Sequence, residues 1–177
     1  MFNNPLVAVS GPGAFPCPVE RLLRRFDGKL SPDIIASLRG RMMSGEFDTF
    51  LCYNSEDKPV VKRIGLKLLQ HGILPWFDEW QLRPGLPWTR ALENEITKIR
   101  SASVFVGTKG IGPWQRFEIE AFLREFVRRE CPVIPALLAT APKNKMPKLP
   151  LIMGTMMWVD FRKQNPNPFE QLMWALK

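Results

Sequence analysis

Along the chain from residue 47, short apolar runs alternate with segments in which apolar residues recur every three or four positions. Short apolar runs between turn residues are typical of buried strands, whereas the longer period is typical of helices packed on one face. The alternation therefore predicts a series of strands, most of them followed by a helix. The predicted strands are 47–53, 73–77, 102–107, 133–138 and 156–161, and the predicted helices are 57–71, 88–100, 114–129 and 168–176.

Strands that alternate with helices imply right-handed βαβ units and therefore an α/β fold with a parallel sheet. The predicted strands fit the flavodoxin-like order 2-1-3-4-5 better than a (β/α)₈ barrel, which needs about 250 residues. In such sheets ligands bind at the carboxyl ends of the strands, near the point where the strand order reverses. The sequence thus predicts a site formed by the loops 53–58, 78–88 and 107–114.

Residues 1–45 follow a different pattern, since Gly and Pro are frequent in the first part. The segment 19–26 predicts a short helix. A longer helix is predicted from Ser31, a capping residue followed by Pro, to Gly45. We interpret this region as a partly helical packing extension, with a linker or the remnant of a neighbouring domain as the alternative. Residues 46–177 are then the main domain.

Charge and cysteine content narrow the possible partners and the compartment. The net charge of +8 is spread along the chain, and no nucleic-acid motif accompanies it, so nucleic acid is a disfavoured partner. Cys17, Cys52 and Cys131 have no regular spacing, which indicates neither a disulfide framework nor a zinc site. No apolar run approaches the ~20 residues of a membrane helix, and the start lacks a basic signal-peptide region. We therefore expect a cytoplasmic protein without a membrane partner.

Residues at the predicted strand ends exclude several chemistries of this fold class. A phosphoacceptor receiver domain needs an Asp at the end of the third strand, where this chain has Gly107 and Thr108. A Walker-type loop and a Gly-rich dinucleotide fingerprint are also absent from the sequence. His71 is the only histidine and lies at a predicted helix end, where its charge is favourable. A histidine-based triad or metal site is therefore disfavoured.

Glu118 is the carboxylate that we single out for chemistry. It lies one turn after Trp114 on the predicted helix 114–129, so the two share a face. That helix begins just past the third strand, and Phe117 and Phe122 make the surroundings of Glu118 partly apolar. From composition alone, a solvated helix glutamate and an aromatic packing residue remain the simpler interpretations.

Two loops at the same edge of the sheet carry further candidates. The loop 53–58 leads into a helix N-terminus, whose free N–H groups suit a phosphate, although ordinary capping by Asp57 is an equal alternative. The loop 78–88 combines Trp80, Trp88 and an Arg, and exposed aromatics beside Arg are typical of an interface. The alternative is that both tryptophans fold back onto the edge of the sheet.

Together these segments resemble a TIR (Toll/interleukin-receptor homology) domain over about residues 46–176. The resemblance rests on the order and spacing of four motifs, because no single motif is decisive. They are FDTFLCYNSED at 47–57, LPWFDEWQLRPGLPW at 74–88, ASVFVGTKGIGPWQRFE at 102–118 and MWVDFR at 157–162. The GPW segment and the closing PNPFEQLMWAL are similar to those of bacterial immune members.

The TIR family contains scaffolds that only self-associate in immune signalling and enzymes that hydrolyse or cyclise NAD. In the enzymes a glutamate on the third helix is essential, commonly four residues after a Trp. The resemblance therefore implies that Glu118 is catalytic and that NAD is the substrate, cleaved to nicotinamide and ADP-ribose or a cyclic ADP-ribose. It implies no cofactor and no metal. A scaffold without turnover is the alternative.

The resemblance also implies residues for binding and assembly. The implied substrate-binding residues are Tyr53, Asn54, Ser55, Phe77, Asp78, Trp80 and Trp114. In known enzymatic members the long loop of one copy completes the pocket of the next. Here the implied self-association residues are Trp80, Leu82, Arg83, Pro84, Gly85 and Leu86. The expected partners are NAD, other TIR domains, and a sensor or effector protein.

Overall fold

A computed structural model gives the fold of residues 23–24, 26, 29–82, 93, 95–110, 116–143 and 153–177, with the backbone alone at residues 116–119. The helices are α1 (Pro32–Ser44), α2 (Lys58–Gln70), α3 (Asp78–Gln81), α4 (Arg116–Arg128) and α5 (Pro168–Ala175), with 3₁₀ turns at Ser55–Asp57 and Ile96–Lys98. The strands are β1 (Thr49–Cys52), β2 (Pro75–Trp76), β3 (Ala102–Val106), β4 (Val133–Leu137) and β5 (Val159–Asp160). None of the helices in this described part is long and apolar enough to cross a membrane.

The strands form one parallel sheet of five strands in the described residues, in the order β2-β1-β3-β4-β5. Strand β1 lies inside the sheet, where Phe50 is opposite Trp76 on one side and Ala102 on the other. The order reverses between β1 and β3, as in flavodoxin-like sheets. The predicted fold class is therefore confirmed.

The three inner strands are buried along their whole length. Continuous burial is typical of parallel strands whose two faces are both covered. The polar residues Thr49 and Ser103 on these strands are tolerated because their hydroxyl groups hydrogen-bond each other at 2.8 Å. The inner strands can therefore supply core but no reactive group, and chemistry is left to their ends.

Helix α1 confirms the prediction made from its capping residues. The Ser31 hydroxyl accepts the amide of Ile34, and Gly45 adopts a left-handed conformation that a residue with a side chain would adopt only with strain. Leu38 on this helix and Leu23 before it belong to the same core cluster as the strands. Residues 19–22 and 25 of the predicted helix 19–26 lie outside the described residues. The domain boundary at 45/46 stays a prediction.

Arg41 ties α1 to the sheet through a part-buried ion pair. Its guanidinium donates to the Asp48 carboxylate at 2.5 Å and to the Gly72 carbonyl at 2.6 Å. The same carboxylate accepts the Leu74 amide at 2.6 Å, and the Ser101 hydroxyl donates to the Asp48 carbonyl. One arginine therefore joins α1 to the segments that enter β1 and β2.

The end of the predicted helix 88–100 is wrong. Only a 3₁₀ turn is present at Ile96–Lys98, and Ile99 is extended and bridges Phe47. The Arg129 guanidinium binds the carbonyls of Ile96 and Ile99, so tertiary contacts override the local helical period. Residues 88–92 lie outside the described residues.

The strands are each shorter than predicted, and the first residues of the predicted loop 78–88 form α3.

Replacement of Arg41 by Ala should leave the buried Asp48 carboxylate and the Gly72 carbonyl without their cationic donor. We expect a loss of about 2–4 kcal/mol in the free energy of unfolding, measured by urea denaturation. The matched control is Arg100→Ala, because Arg100 is 67 % exposed and its carboxylate partner Glu46 lies at 3.9 Å. That variant should lose less than about 1 kcal/mol. Equal losses in the two variants would contradict a structural role for the Arg41 pair.

Candidate functional site

Three strand ends meet at the carboxyl edge of the sheet and bring together residues that are distant in sequence. The Tyr53 ring after β1 stacks on the Phe77 ring after β2, with centroids 5.3 Å apart. The Tyr53 hydroxyl donates a hydrogen bond to the Asp78 carboxylate. Three of the predicted substrate-binding residues therefore form one cluster, although their contact with a substrate stays a prediction.

Charges around this cluster come from α2 and α3. The Lys58 ammonium lies 3.4 Å from the Asp78 carboxylate and 3.7 Å from the Glu79 carboxylate, and Lys62 also pairs with Glu79. Burial raises the pKa of Tyr53 far above its ordinary value, and the hydrogen bond to Asp78 raises it further. The phenol therefore stays protonated and acts as a donor.

The loop 53–58 after β1 is held by a hydrogen bond within the loop. Asn54 accepts the Glu56 amide at 3.2 Å through its side chain and caps the 3₁₀ turn Ser55–Asp57. Asp57 stands at the N-cap position of α2, but its side chain makes no capping bond. The expectation that Asp57 caps the helix is therefore wrong, because its carboxylate is directed to a different neighbour.

That neighbour is Gly107, the first residue after β3. A Cβ placed on Gly107 would lie 2.0 Å from Asp57 Oδ1, so the carboxylate occupies the space of a side chain at this position. Asp57 is only 7 % exposed. Burial raises the pKa of Asp57, and a backbone hydrogen bond from Gly107 partly offsets the rise. The sequence signal for this contact is weak, since it consists of a glycine at the end of an apolar run.

Trp80 lies in the core and not on the surface. Its side chain is 2 % exposed, its ring centroid lies 4.8 Å from that of Phe77, and it packs against Gly65 of α2. Of the two alternatives for this tryptophan, folding back is the one that the structure shows. Leu82 is half-buried, and Arg83, Pro84, Gly85, Leu86 and Trp88 lie outside the described residues. Self-association through this loop stays a prediction.

Glu118 lies in the first turn of α4, which begins at Arg116 after the chain has left β3 at Val106. In a parallel α/β sheet the helix that follows a strand begins on the side of that strand's carboxyl end, so we expect Glu118 on the side of the sheet at which Tyr53 and Asp78 lie. The structure does not describe the side chain of Glu118, and Trp114 lies outside the described residues. The pairing of these two residues stays a prediction.

The described residues near this edge offer few other groups that could act as a nucleophile or bind a metal ion. Burial raises the pKa of Cys52 to about 12, so its thiol is neutral at physiological pH and is a poor nucleophile. Within the described ranges, no three His, Cys, Asp or Glu residues lie close enough together to hold a metal ion. The described acidic groups at the edge are carboxylates of the two loops.

A separate cavity of about 370 Å³ lies between α2 and α5. Its apolar wall includes Val60, Ile64 and Phe161, and the Lys67 ammonium lies 4.0 Å from the centroid of the Phe169 ring. None of the described residues that line it is acidic. The lining also includes Leu138, which follows β4 as Phe161 follows β5, and the lining shares no residue with the cluster of Tyr53, Phe77 and Asp78. Nothing in the sequence pattern indicated this cavity.

A family model described as a TIR domain matches residues 49–173. The chain belongs to the TIR domain family. This TIR domain is also 29 % identical over 94 residues to a protein named NAD(+) hydrolase TcpA from Theionarchaea archaeon (strain DG-70-1). The match covers 52 % of this chain and only 29 % of that relative's length.

Solved structures support the same fold. The TIR domain of the Toll-related receptor TRR-2 from Hydra magnipapillata matches with a TM-score of 0.55 at 18 % identity, over 73 % of this chain and 98 % of that chain. The TIR domains of the activated Roq1 resistosome, which recognises the pathogen effector XopQ, match with a TM-score of 0.55 at 16 % identity, over 75 % of this chain and 100 % of that chain. At these identities the likeness establishes the fold alone.

The packing of Trp80 on α2 can be tested with two helical glycines. A Cβ at Gly65 would lie 3.1 Å from the Trp80 ring and 3.2 Å from the Leu51 side chain, whereas a Cβ at Gly40 would meet nothing within 4 Å. We expect Gly65→Ala to lower the free energy of unfolding by about 1–3 kcal/mol. Gly40→Ala should raise it by about 0.5–1 kcal/mol, because alanine favours helix. Tryptophan fluorescence during urea unfolding measures both, and a stabilised Gly65→Ala variant would contradict the packing.

Proposed function

We propose that this TIR domain cleaves the nicotinamide–ribose bond of NAD, with Glu118 as the catalytic carboxylate. The observation that carries the proposal is the similarity to a protein named NAD(+) hydrolase. It is supported by the position of Glu118 in the first turn of α4, the helix that follows β3, because such helix starts are expected at the carboxyl edge of a parallel sheet. As part of the same proposal, the reaction serves innate-immune or antiphage signalling in the cytoplasm, together with a sensor or effector protein.

The reaction makes modest demands on the protein. The nicotinamide of NAD is a cationic leaving group, so its departure needs no strong acid. As the bond to ribose breaks, positive charge develops on the sugar, and a nearby carboxylate stabilises that charge or orients the ribose hydroxyls. Water attack then gives ADP-ribose, and attack by an oxygen or nitrogen of the same molecule gives a cyclic product. Trp114 would stack on a ring of the substrate, by a cation–π contact if that ring is nicotinamide.

The two loops would supply binding groups. The Tyr53 hydroxyl gives its hydrogen to Asp78 and therefore offers an acceptor oxygen, whereas Lys58 brings a positive charge to the same cluster. A ribose hydroxyl can donate to such an oxygen, and a pyrophosphate is attracted by such a cation. Asn54 and Ser55 stand on the half-buried to exposed part of the first loop. Phe77 and Trp80 are buried and pack against each other, and Phe77 also stacks on Tyr53. Their own contact with NAD stays a prediction.

A scaffold that binds other TIR domains without turnover is the second candidate. One observation favours it, since Trp174 on α5 is 82 % exposed. Tryptophan is enriched in protein–protein interfaces relative to the rest of the protein surface. The two candidates differ in whether Glu118 matters for chemistry.

The decisive experiment measures nicotinamide release from NAD by the concentrated purified protein, with the second product identified by chromatography. Glu118→Gln and Glu118→Ala should lower turnover by about 10²–10⁴-fold, because the group that stabilises the transition-state charge is lost. Glu120→Gln on the same helix is the matched control and should keep near-normal turnover. Unchanged turnover in the Glu118 variants would mean that Glu118 is not the catalytic residue and that the catalytic site lies elsewhere in the protein. An inactive wild-type protein, even under crowding, would favour the scaffold.

Self-association through the long loop predicts that the rate per protein copy falls on dilution. The rate of nicotinamide release should be measured over a wide range of protein concentrations, with light scattering to follow assembly. We expect activity and assembly to decline together, because each pocket would need a neighbouring copy. A dilute monomer that is as fast per site as the concentrated protein would contradict this requirement.

A further inference from the structure

We infer that Asp57 is a positioning residue for the proposed reaction, because its buried carboxylate fixes the turn at Gly107 through which the chain passes to α4 and Glu118. The inference rests on the proposed function, and it assigns Asp57 no contact with NAD. Four observations carry it: the burial of Asp57, its steric fit to Gly107, the other contacts of the turn, and the path of the chain.

The burial of Asp57 has no explanation in the helix that it precedes. A carboxylate at an N-cap position ordinarily accepts an amide of the first helical turn, where the helix dipole also favours it. The Asp57 side chain makes no such bond with α2. An acidic group that is buried without capping its helix needs another partner, because desolvation of a carboxylate is costly.

Gly107 is that partner, and the fit is steric as well as polar. A Cβ on Gly107 would lie 2.0 Å from Asp57 Oδ1 and 2.4 Å from Oδ2 and from Cγ. Any side chain at position 107 would therefore displace the carboxylate. The Gly107 backbone also interacts favourably with the charged carboxylate, which lowers the pKa of Asp57 against the effect of burial. The end of β3 is thus held against the first loop at one defined separation.

The turn after β3 has two further attachments. The Lys109 ammonium pairs with the Glu56 carboxylate at 2.8 Å, and the Thr108 hydroxyl donates to the Thr140 carbonyl at 2.8 Å. Both contacts involve exposed side chains, so each contributes little by itself. The Asp57 contact is the buried one, and it therefore restrains the turn most strongly.

The path of the chain links this turn to Glu118. The turn closes with the Gly110 amide on the Gly107 carbonyl at 3.2 Å, and α4 begins at Arg116. The inference requires that a shift of the turn displaces the first residues of α4, which follow it in the chain. In general, a misplacement of about 1 Å in a reacting group can cost about 10²-fold in rate. A restraint on Gly107 is therefore a restraint on the position of the proposed catalytic carboxylate.

The first test compares Asp57→Ala with Asp57→Asn in steady-state NAD cleavage. Asp57→Ala should lower kcat by about 10–100-fold with little change in KM, because NAD binds but meets a misplaced Glu118. Asp57→Asn keeps an oxygen acceptor and nearly the same volume, so it should retain most of kcat. Glu56→Ala, which removes only the exposed pair with Lys109, is the matched control and should stay within about 2-fold of wild type.

The second test is a double-mutant cycle on stability with Gly107→Ala. In the wild-type background the new methyl group collides with the carboxylate, so the midpoint of urea unfolding should fall clearly. In the Asp57→Ala background the space is vacant, and the same change should cost much less. This cycle measures the contact itself and does not depend on any activity.

The outcomes separate the inference from the function on which it rests. An active wild type, an inactive Glu118→Gln and a fully active, folded Asp57→Ala would overturn the positioning role alone. If Asp57→Asn loses as much activity as Asp57→Ala while both stay folded, the negative charge itself is needed, which also overturns a positioning role. Additive effects of the two substitutions on stability would show no interaction between positions 57 and 107 and would contradict the contact. A wild type without NAD cleavage would overturn the proposed function and the positioning role with it.

Discussion

The parallel pairing of β1 with both of its neighbours is the constraint on which the molecule depends. Phe50 is opposite Trp76 on β2 and opposite Ala102 on β3, so the pairing of β1 fixes the register of β2 relative to β3. Because all pairs are parallel, every strand delivers its carboxyl end to the same edge. The inner strands are wholly buried, so polar chemistry has only the strand ends available to it. The hydrogen-bonded pairing of the strand backbones therefore places the candidate residues at one edge, whatever contacts their side chains then make.

At that edge the loops are held by a few polar contacts, of which Asp57 with Gly107 is buried and Tyr53 with Asp78 is half-buried. Tyr53 with Asp78 joins the loops after β1 and β2, and Asp57 with Gly107 joins the loops after β1 and β3. The first loop therefore takes part in both contacts. Shielded contacts restrain geometry more firmly than the exposed ion pairs around them, such as Glu56 with Lys109. The loop after β1 thus connects the two halves of the edge.

Local pattern was sufficient for the elements and insufficient for the contacts between them. The apolar runs predicted all five strands and their order, and Ser31 and Gly45 predicted both ends of α1, because these signals act over a few residues. The last turn of the predicted helix 88–100 was wrong because Arg129, far along the chain, binds its carbonyls. A prediction from the local sequence pattern does not include contacts with a residue so distant in the sequence.

The same distinction explains the candidate site. The sequence predicted that Tyr53, Phe77 and Asp78 lie at one edge, since strand ends in a parallel sheet are known once the order is known. It offered helix capping by Asp57 as one of two equal alternatives and had no signal for the contact with Gly107, because that residue follows β3. It also left Trp80 between interface and core, and the packing of its ring on Phe77 and Gly65 decides that choice. Steric complementarity between distant residues is not encoded in any periodic pattern.

The attachment of α1 has a practical consequence for the choice of expression boundaries. The family match begins at residue 49, one residue after the carboxylate that Arg41 binds. A fragment cut at that point would contain every strand of the sheet yet lack Arg41 and the apolar residues that α1 adds to the core. The uncovered apolar surface would favour aggregation during purification. Such a fragment would give a misleadingly poor impression of how soluble this fold is.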